Sequence, residues 1–369
     1  MNPPLTGVKV LDFSTLLPGP LCSLLLAEAG AEVIKIERPG RGDEMRAYEP
    51  KVDDDSANFV LLNRGKQSVV IDLKAPGTLD HLMPLIHEAD VLIEQFRPGV
   101  MDRLGLGYAA LSTINPRLVY CSITGFGQYG PRASEAAHDL NYVAASGALS
   151  LTAGNDGAPV LPPALIADIA GGAYPAMMNI LLALRQRDQT GQGVHLDVAM
   201  ADNLFTFQYW GLGNGELGSW PSPASELVTG GSPRYQIYRT ADGAFIAAAP
   251  IEDKFWANFT RLIGLDAAVL DRLSATEAKS AVATAMAQRS AKYWMDRFAG
   301  EDVCASLVVS LEQATEDPHF AARGLFDQTV TAPSGTTLRA LPVPVDRAFR
   351  CSARTASPAL GADNSLLKS

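Results

Sequence analysis

Cysteine is scarce in this chain and never clustered. The four residues, Cys22, Cys121, Cys304 and Cys351, lie far apart, so no CxxC or Cys/His spacing offers a metal site and no disulfide framework is suggested. They read as buried or free thiols. Blocks of lysine and arginine are missing as well. With 30 basic against 40 acidic residues the net charge is −10 and the pI is near 5.0. An acidic surplus repels phosphate backbones at long range and argues against a nucleic-acid partner. Long hydrophobic runs are also lacking: AMMNILLAL stops at Arg185, short of the roughly 20 apolar residues a bilayer-spanning helix needs. The opening residues do not follow the basic-then-apolar order of a leader, so a soluble, cytoplasmic protein with no membrane partner is expected. Neither an internal repeat nor a low-complexity tract is present. What remains is an ordinary globular composition, 369 residues with 47% hydrophobic and 19% charged, enough for two domains or one large domain with a satellite.

The first forty residues specify an architecture. VKVLDF reads as a buried strand, STLLPGP as a loop, LCSLLLAEAG as a helix ending at Gly30 and AEVIKIE as a second strand, a β-α-β unit that predicts a parallel sheet. SVVIDL, ADVLIEQF, RLVYCSIT and GQGVHLDVAM supply further strands, with helical stretches such as LDHLMPLIHEA between them. The fold class expected is therefore α/β: a large, doubly wound, Rossmann-like domain over 1–200, with its ligand at the carboxyl ends of the strands. The Gly/Pro/Ser-rich stretch 201–224 reads as a linker. Beyond it, RYQIYR and AFIAAAP flank TADG as a β-hairpin, and helical stretches follow, predicting a smaller α+β domain over 225–329. The extended segment from 330 to 369 is expected to complete the large domain.

A dinucleotide is the first guess for such a domain, yet the turn FSTLLPGPLC holds only Gly19 and cannot form the GxGxxG cradle. A GxGxxG does occur at Gly125, Gly127 and Gly130, but Pro131 follows where a long helix should begin. It reads as a substrate loop. Basic side chains beside strand ends, at Arg38, Lys74, Arg97 and Arg103, suit an anionic handle, although any one of them reads equally well as a solvated charge.

His138 in AAHDLNYVAASG and Asp168 in LIADIAGGAY are the ionisable groups most conspicuously set among small and apolar neighbours. A proton donor and acceptor in such surroundings suit acid-base chemistry at carbon. Each could also be a helix cap. Gly171 and Gly172 lie on the face that carries Asp168 and offer bare backbone for a ligand, or for another helix. Glu252, at the junction between AFIAAAP and its helix, is a third candidate, with a helix-start acid as its plainer reading. Met177, Met178, Phe205, Tyr209 and Trp210 could line an acyl surface or belong to a core.

The blocks LLPGPLCSLLLAEAGAEVIKIERPGRGD, NRGKQSVVIDLK, FRPGVMDRLGLGY, SITGFGQYGP, ALRQRDQTGQGVHLDVAMAD and DPHFAARGLF resemble the family III CoA-transferase family, in its order and spacing across nearly the whole chain. HDLNY, ADIAGG and IEDKFW are most similar to its α-methylacyl-CoA racemase branch. The resemblance implies that Asp168 sits at the shared catalytic carboxylate, that His138 is the second base and that Glu252 orients the imidazole. Arg38, Lys74, Gln95, Phe96 and Arg103 then hold the nucleotide of coenzyme A, and Tyr142 approaches the thioester. Coenzyme A enters as part of an acyl-CoA substrate, with no cofactor or metal required. The resemblance further implies an interlocked homodimer and a role in lipid metabolism. The short GGSPRY stands where oxalate-type transferases carry a long glycine run, which favours racemisation.

The implied reaction is 1,1-proton transfer at the α-carbon of a 2-methyl-branched acyl-CoA, His138 and Asp168 serving opposite faces, with a backbone N–H near Asp168 as a candidate donor to the enolate. The alternative is transfer of CoA between carboxylic acids through a thioester on Asp168.

Overall fold

The computed structural model of the protein describes residues 3–154, 156–351 and 355–368. Two compact units emerge: Met1–Ser146 with Pro162–Phe207 and Pro318–Ser369, and Gly147–Leu161 with Gln208–Asp317. The return to the first unit thus begins at Pro318, earlier than 330. The stretch 201–224 is not a flexible linker throughout, since Tyr209–Glu216 is a helix. Its glycines seat neighbours: a Cβ at Gly215 would stand 2.4 Å from the Trp220 ring, and one at Gly211 3.2 Å from Pro221. The composition that suggests a linker here serves close packing.

In the first unit, six strands form one parallel sheet: β1 (Lys9–Asp12), β2 (Glu32–Glu37), β3 (Lys66–Val70), β4 (Val91–Glu94), β5 (Val119–Thr124) and β6 (Val194–Ala199). Their spatial order is β3-β2-β1-β4-β5-β6, and every neighbouring pair is parallel. This is the doubly wound arrangement expected. β1, β2, β4 and β5 are buried almost throughout, as suits strands covered on both faces, whereas the edge strand β6 alternates with His195 and Asp197 exposed. Leu11, Ile34, Leu92 and Tyr120 join Leu82, Ile86, Leu106 and Leu111 in one buried core.

Helix α1 (Pro18–Glu28) has prolines in its first turn, where their missing N–H groups cost nothing, and is buried along its whole length. It turns into β2 through Gly30 at φ 102°. The remaining helices that matter here are α2 (Thr78–Glu88), α3 (Val100–Arg103), α4 (Tyr108–Ile114), α5 (Asp139–Ala145) and α6 (Tyr174–Thr190). A π-helical segment, Ala167–Ala173, runs directly into α6. The combined 24-residue helix, Ala167–Thr190, has the length and composition to cross a bilayer, more than the shorter apolar run alone suggests. It packs along β5, β6 and α1, the setting of a core helix, and buried Arg187 ties its end to Asp90 at 2.8 Å.

The chain's last segment meets the sheet edge. Asp363 and Asn364 accept the backbone N–H groups of Ser68 and Val70 on β3, at 2.8 and 2.7 Å.

The second unit holds the expected hairpin, β7 (Gln236–Arg239) with β8 (Phe245–Ala248), and a third strand β9 (Ala305–Leu307) that the sequence reading did not identify. Helices α7 (Asp253–Leu262), α8 (Ala275–Met286) and α9 (Ala291–Phe298) contribute Trp256, Phe259, Val282, Trp294 and Phe298 to its core.

Candidate active site

The chain winds outward from β1 through β2 to β3, then returns to place β4 on the other side of β1. At the carboxyl ends of β1 and β4 the connections diverge and leave a crevice, the usual ligand position in such sheets. A cavity of about 290 Å³ opens there. Its walls include Thr15 and Leu16 after β1, Gln95 to Pro98 after β4, Gly125 and Phe126 after β5, then His138, Tyr142, Asp168 and Met200.

A buried charge network fixes the turn after β1. Asp12 accepts the Ser14 N–H at 2.9 Å, Asp43 accepts the Leu16 N–H at 3.0 Å, and Lys35 donates to the Ser14 carbonyl at 2.8 Å. Burial raises the Asp12 carboxyl, but Lys35 and Lys66 outweigh it and hold the group below the usual carboxylate range. Leu16 adopts φ 64°, a left-handed conformation costly for a leucine and sustained only by surroundings that over-determine it. Gln95 accepts the Gly19 N–H at 2.9 Å through its side-chain oxygen, so its amide nitrogen remains a donor for a ligand.

His138 and Asp168 are brought to one cavity, with Tyr142, Gln95 and Phe96. His138 caps α5 with its side chain exposed, and its backbone N–H donates to Asn141 Oδ1 at 3.0 Å. Asp168 lies in the π-helical segment, a geometry frequent at functional sites. Burial pushes its carboxyl up to about 7, and neighbouring Asp139 adds to the rise. Tyr142 donates from its hydroxyl to the Ala137 carbonyl at 2.8 Å, and burial raises its phenol to about 12. Gly125 is required beneath it, since a Cβ there would stand 2.3 Å from the ring.

Several sequence expectations are corrected. Gly171 and Gly172 offer no bare strip to a ligand: both are buried, and a Cβ would meet the Met200 carbonyl oxygen at 2.5 Å or the Met200 side chain at 3.0 Å. They admit the segment after β6. The Asp168 N–H is no free enolate donor, because Asp139 Oδ1 already accepts it at 2.9 Å. Met177 and Met178 do not line the cavity; they belong to a separate apolar groove of about 840 Å³ with Tyr174, Leu181, Leu182 and Phe349.

The anticipated anionic handle divides. Lys74 and Arg103 face one open groove of about 530 Å³. The groove's Leu73 and Leu104, together with Phe96, pack on the same core. Arg38 does not line either space and pairs instead with Glu44 at 2.9 Å, both side chains about half exposed. Arg97 lines the cavity itself. Glu252 belongs to the second unit, exposed at the start of α7.

Sequence reasoning passes over Asp139, whose carboxylate is buried although it follows an exposed histidine. It passes over Glu94 as well. The available signal is polarity inside an apolar strand, VLIE, directly before the cavity wall.

Residues 5–364 match the family described as CoA-transferase family III. The chain belongs to this family. It is 36% identical over 328 residues to human alpha-methylacyl-CoA racemase, covering 87% of this chain and 82% of that protein. It is 34% identical over 333 residues to acetyl-CoA:oxalate CoA-transferase of Acetobacter aceti, covering 87% and 85%. The crystal structure of a CAIB/BAIF family protein from Brucella suis superposes with a TM-score of 0.84 at 29% identity, over 100% of this chain and 99% of that one. Racemases and transferases thus stand at similar distances from this family III chain.

Proposed function

We propose that the protein is an acyl-CoA racemase or epimerase that moves a proton at the α-carbon of 2-methyl-branched acyl-CoA thioesters. The observation that carries this reading is the pair His138 and Asp168 in one cavity, with Asp168 raised to about 7. A carboxyl that titrates near neutral pH is matched to both taking and returning a proton. One group removes the α-proton from one face and the other delivers a proton to the opposite face. The Gln95 amide nitrogen is available as a donor to the thioester oxygen.

The thioester occupies the cavity beside Tyr142, and the coenzyme A arm passes Phe96 toward the groove of Lys74 and Arg103, whose charges suit its phosphates. Arg38 joins them on giving up its exposed partner Glu44. No cofactor beyond the substrate's own coenzyme A is required. A homodimer, a cytoplasmic location and a role in lipid metabolism complete the reading. The apolar groove along α6, where Met178 is 56% and Leu182 61% exposed, supports self-association through that face.

Transfer of CoA between carboxylic acids is the second reading, favoured by the similarity to the oxalate transferase. It requires Asp168 as an ionised nucleophile, and elevation to about 7 leaves roughly half of it protonated at neutral pH. The experiment that separates them is incubation of a 2-methylacyl-CoA in D2O, with and without a free carboxylic acid. Incorporation of α-deuterium without the acid is the expected result. New acyl-CoA formed only with the acid, and no deuterium, would overturn the racemase reading.

A further inference from the structure

Behind the cavity wall lies a second, smaller polar space of about 30 Å³, lined among others by Glu94, Asp102, Ser122, Gln128 and His195, which the proposed proton transfer does not use. Glu94 ends β4 and is buried at 3% exposure, beside equally buried Tyr120 and Ser122 on β5. Its Oε2 accepts the Phe96 N–H at 2.8 Å. Ser122 is the residue paired with Glu94 across β4 and β5, its hydroxyl favours the ionised Glu94 carboxyl, and it lies 2.9 Å from His195 Nε2. His195, on β6, stacks on Tyr108 at 5.3 Å and reaches the surface. Arg97 lines both this space and the cavity.

We infer that Glu94 is a positioning residue: through the Phe96 N–H it sets the wall Gln95–Pro98 against which coenzyme A binds, and the chain Ser122–His195 links it to solvent protons. The inference rests on the CoA-binding reading above. An ionised Glu94 accepts from the Phe96 N–H and attracts the neighbouring Ser122 hydroxyl, and a charged acceptor makes the stronger hydrogen bonds. A protonated Glu94 directs its O–H toward Ser122, which then donates to His195 Nε2 with the imidazole proton on Nδ1, and its hold on Phe96 loosens. Such a reversal needs no movement of heavy atoms.

The groups around Glu94 place the change near neutrality. Burial pushes its carboxyl up to about 7, against the bonds from Ser122 and Phe96, and Asp102 of α3 and Asp197 of β6 push the same way. Arg97, Tyr108 and Tyr120 complete the ionisable surroundings. Burial lowers His195, so its imidazole stays neutral through the range in which Glu94 titrates.

The test is the Kd of coenzyme A, by calorimetry, from pH 5.5 to 8.5 for the unaltered protein, Glu94→Gln and Ser122→Ala. The unaltered protein should bind CoA more tightly as pH rises through about 7. Titration of the ligand's own phosphates is common to all three proteins and cancels in their comparison. Glu94→Gln should bind about fivefold more weakly at pH 8 and lose the pH dependence that the Glu94 carboxyl confers. The loss should appear in KM for acyl-CoA more than in kcat. Ser122→Ala, which keeps the carboxyl, should retain the dependence with a shifted midpoint, and stands as the test should Glu94→Gln not fold. Matching profiles for the unaltered protein and Glu94→Gln, or an unmoved midpoint in Ser122→Ala, would overturn the inference. Failure of the unaltered protein to bind CoA at any pH would instead overturn the reading beneath it.

Discussion

Asp139 Oδ1 accepts the backbone N–H of Asp168 at 2.9 Å, while its charge helps to raise the Asp168 carboxyl. One buried side chain thus fixes the position of Asp168 and adjusts its proton affinity. Asp139→Asn keeps an acceptor for the N–H and removes the charge. The acid limb of the pH profile for α-deuterium exchange should then move to lower pH, because an ionised Asp168 no longer faces a like charge.

His138 lines the cavity that holds Asp168 and takes no part in the groove of Lys74 and Arg103. His138→Ala should lower α-deuterium exchange by about 10² to 10⁴ and leave the Kd of coenzyme A nearly unchanged. Undiminished exchange would remove the imidazole from the reaction.

Asp168 also carries a stability signature. Its carboxyl rises from 3.8 to about 7 on folding, so between those values the native state binds more protons than the unfolded chain. Its contribution to stability therefore falls as pH rises through that window. Asp168→Asn should abolish exchange yet raise the urea midpoint at pH 8 relative to the unaltered protein, with the difference shrinking toward pH 4. Equal midpoints at pH 8 would show that burial does not penalise the charge.

Lys74 and Arg103 share a groove outside the cavity. Lys74→Ala and Arg103→Ala should each raise KM for acyl-CoA by roughly three- to tenfold at low salt, with kcat little changed. The effect should fade as ionic strength rises, since exposed charge pairs are screened. A fall in kcat with unchanged KM would count against a nucleotide site there.

Gly171 stands where a Cβ would lie 2.5 Å from the Met200 carbonyl oxygen. Gly171→Ala must push the backbone after β6 away from the π-helical segment, at a cost of about 1–3 kcal/mol. Lower thermal stability and weaker exchange should appear together, because Met200 and Asp168 both line the cavity.

Local pattern carried much of this organisation. VKVLDF and AEVIKIE announce neighbouring parallel strands through their apolar residues, and the polar ones they bury, Asp12, Lys35 and Glu37, are held in ion pairs. The lack of GxGxxG after β1 agrees with a turn held by Asp12, Lys35 and Asp43. His138 and Asp168 stand out through chemistry unusual for their surroundings, and they do share a cavity. Long-range contact stayed hidden. Nothing near Gly171 indicates that Met200 will press against it, and nothing in GLGNGELGSWP shows that Trp220 folds back onto Gly215. Asp139 looks like a helix-start acid because its role depends on a residue 29 positions away. A glycine gives the same letter for flexibility and for close contact; only the neighbour decides which.

The bonds from Asp363 and Asn364 to the Ser68 and Val70 amides act as a stopper on the open border of the sheet. Strands with bare amide rows invite foreign chains to add on. Clipping the chain ahead of those two residues would therefore trade a sealed border for an adhesive one, and turbidity on standing would reveal the difference before any loss of catalysis did.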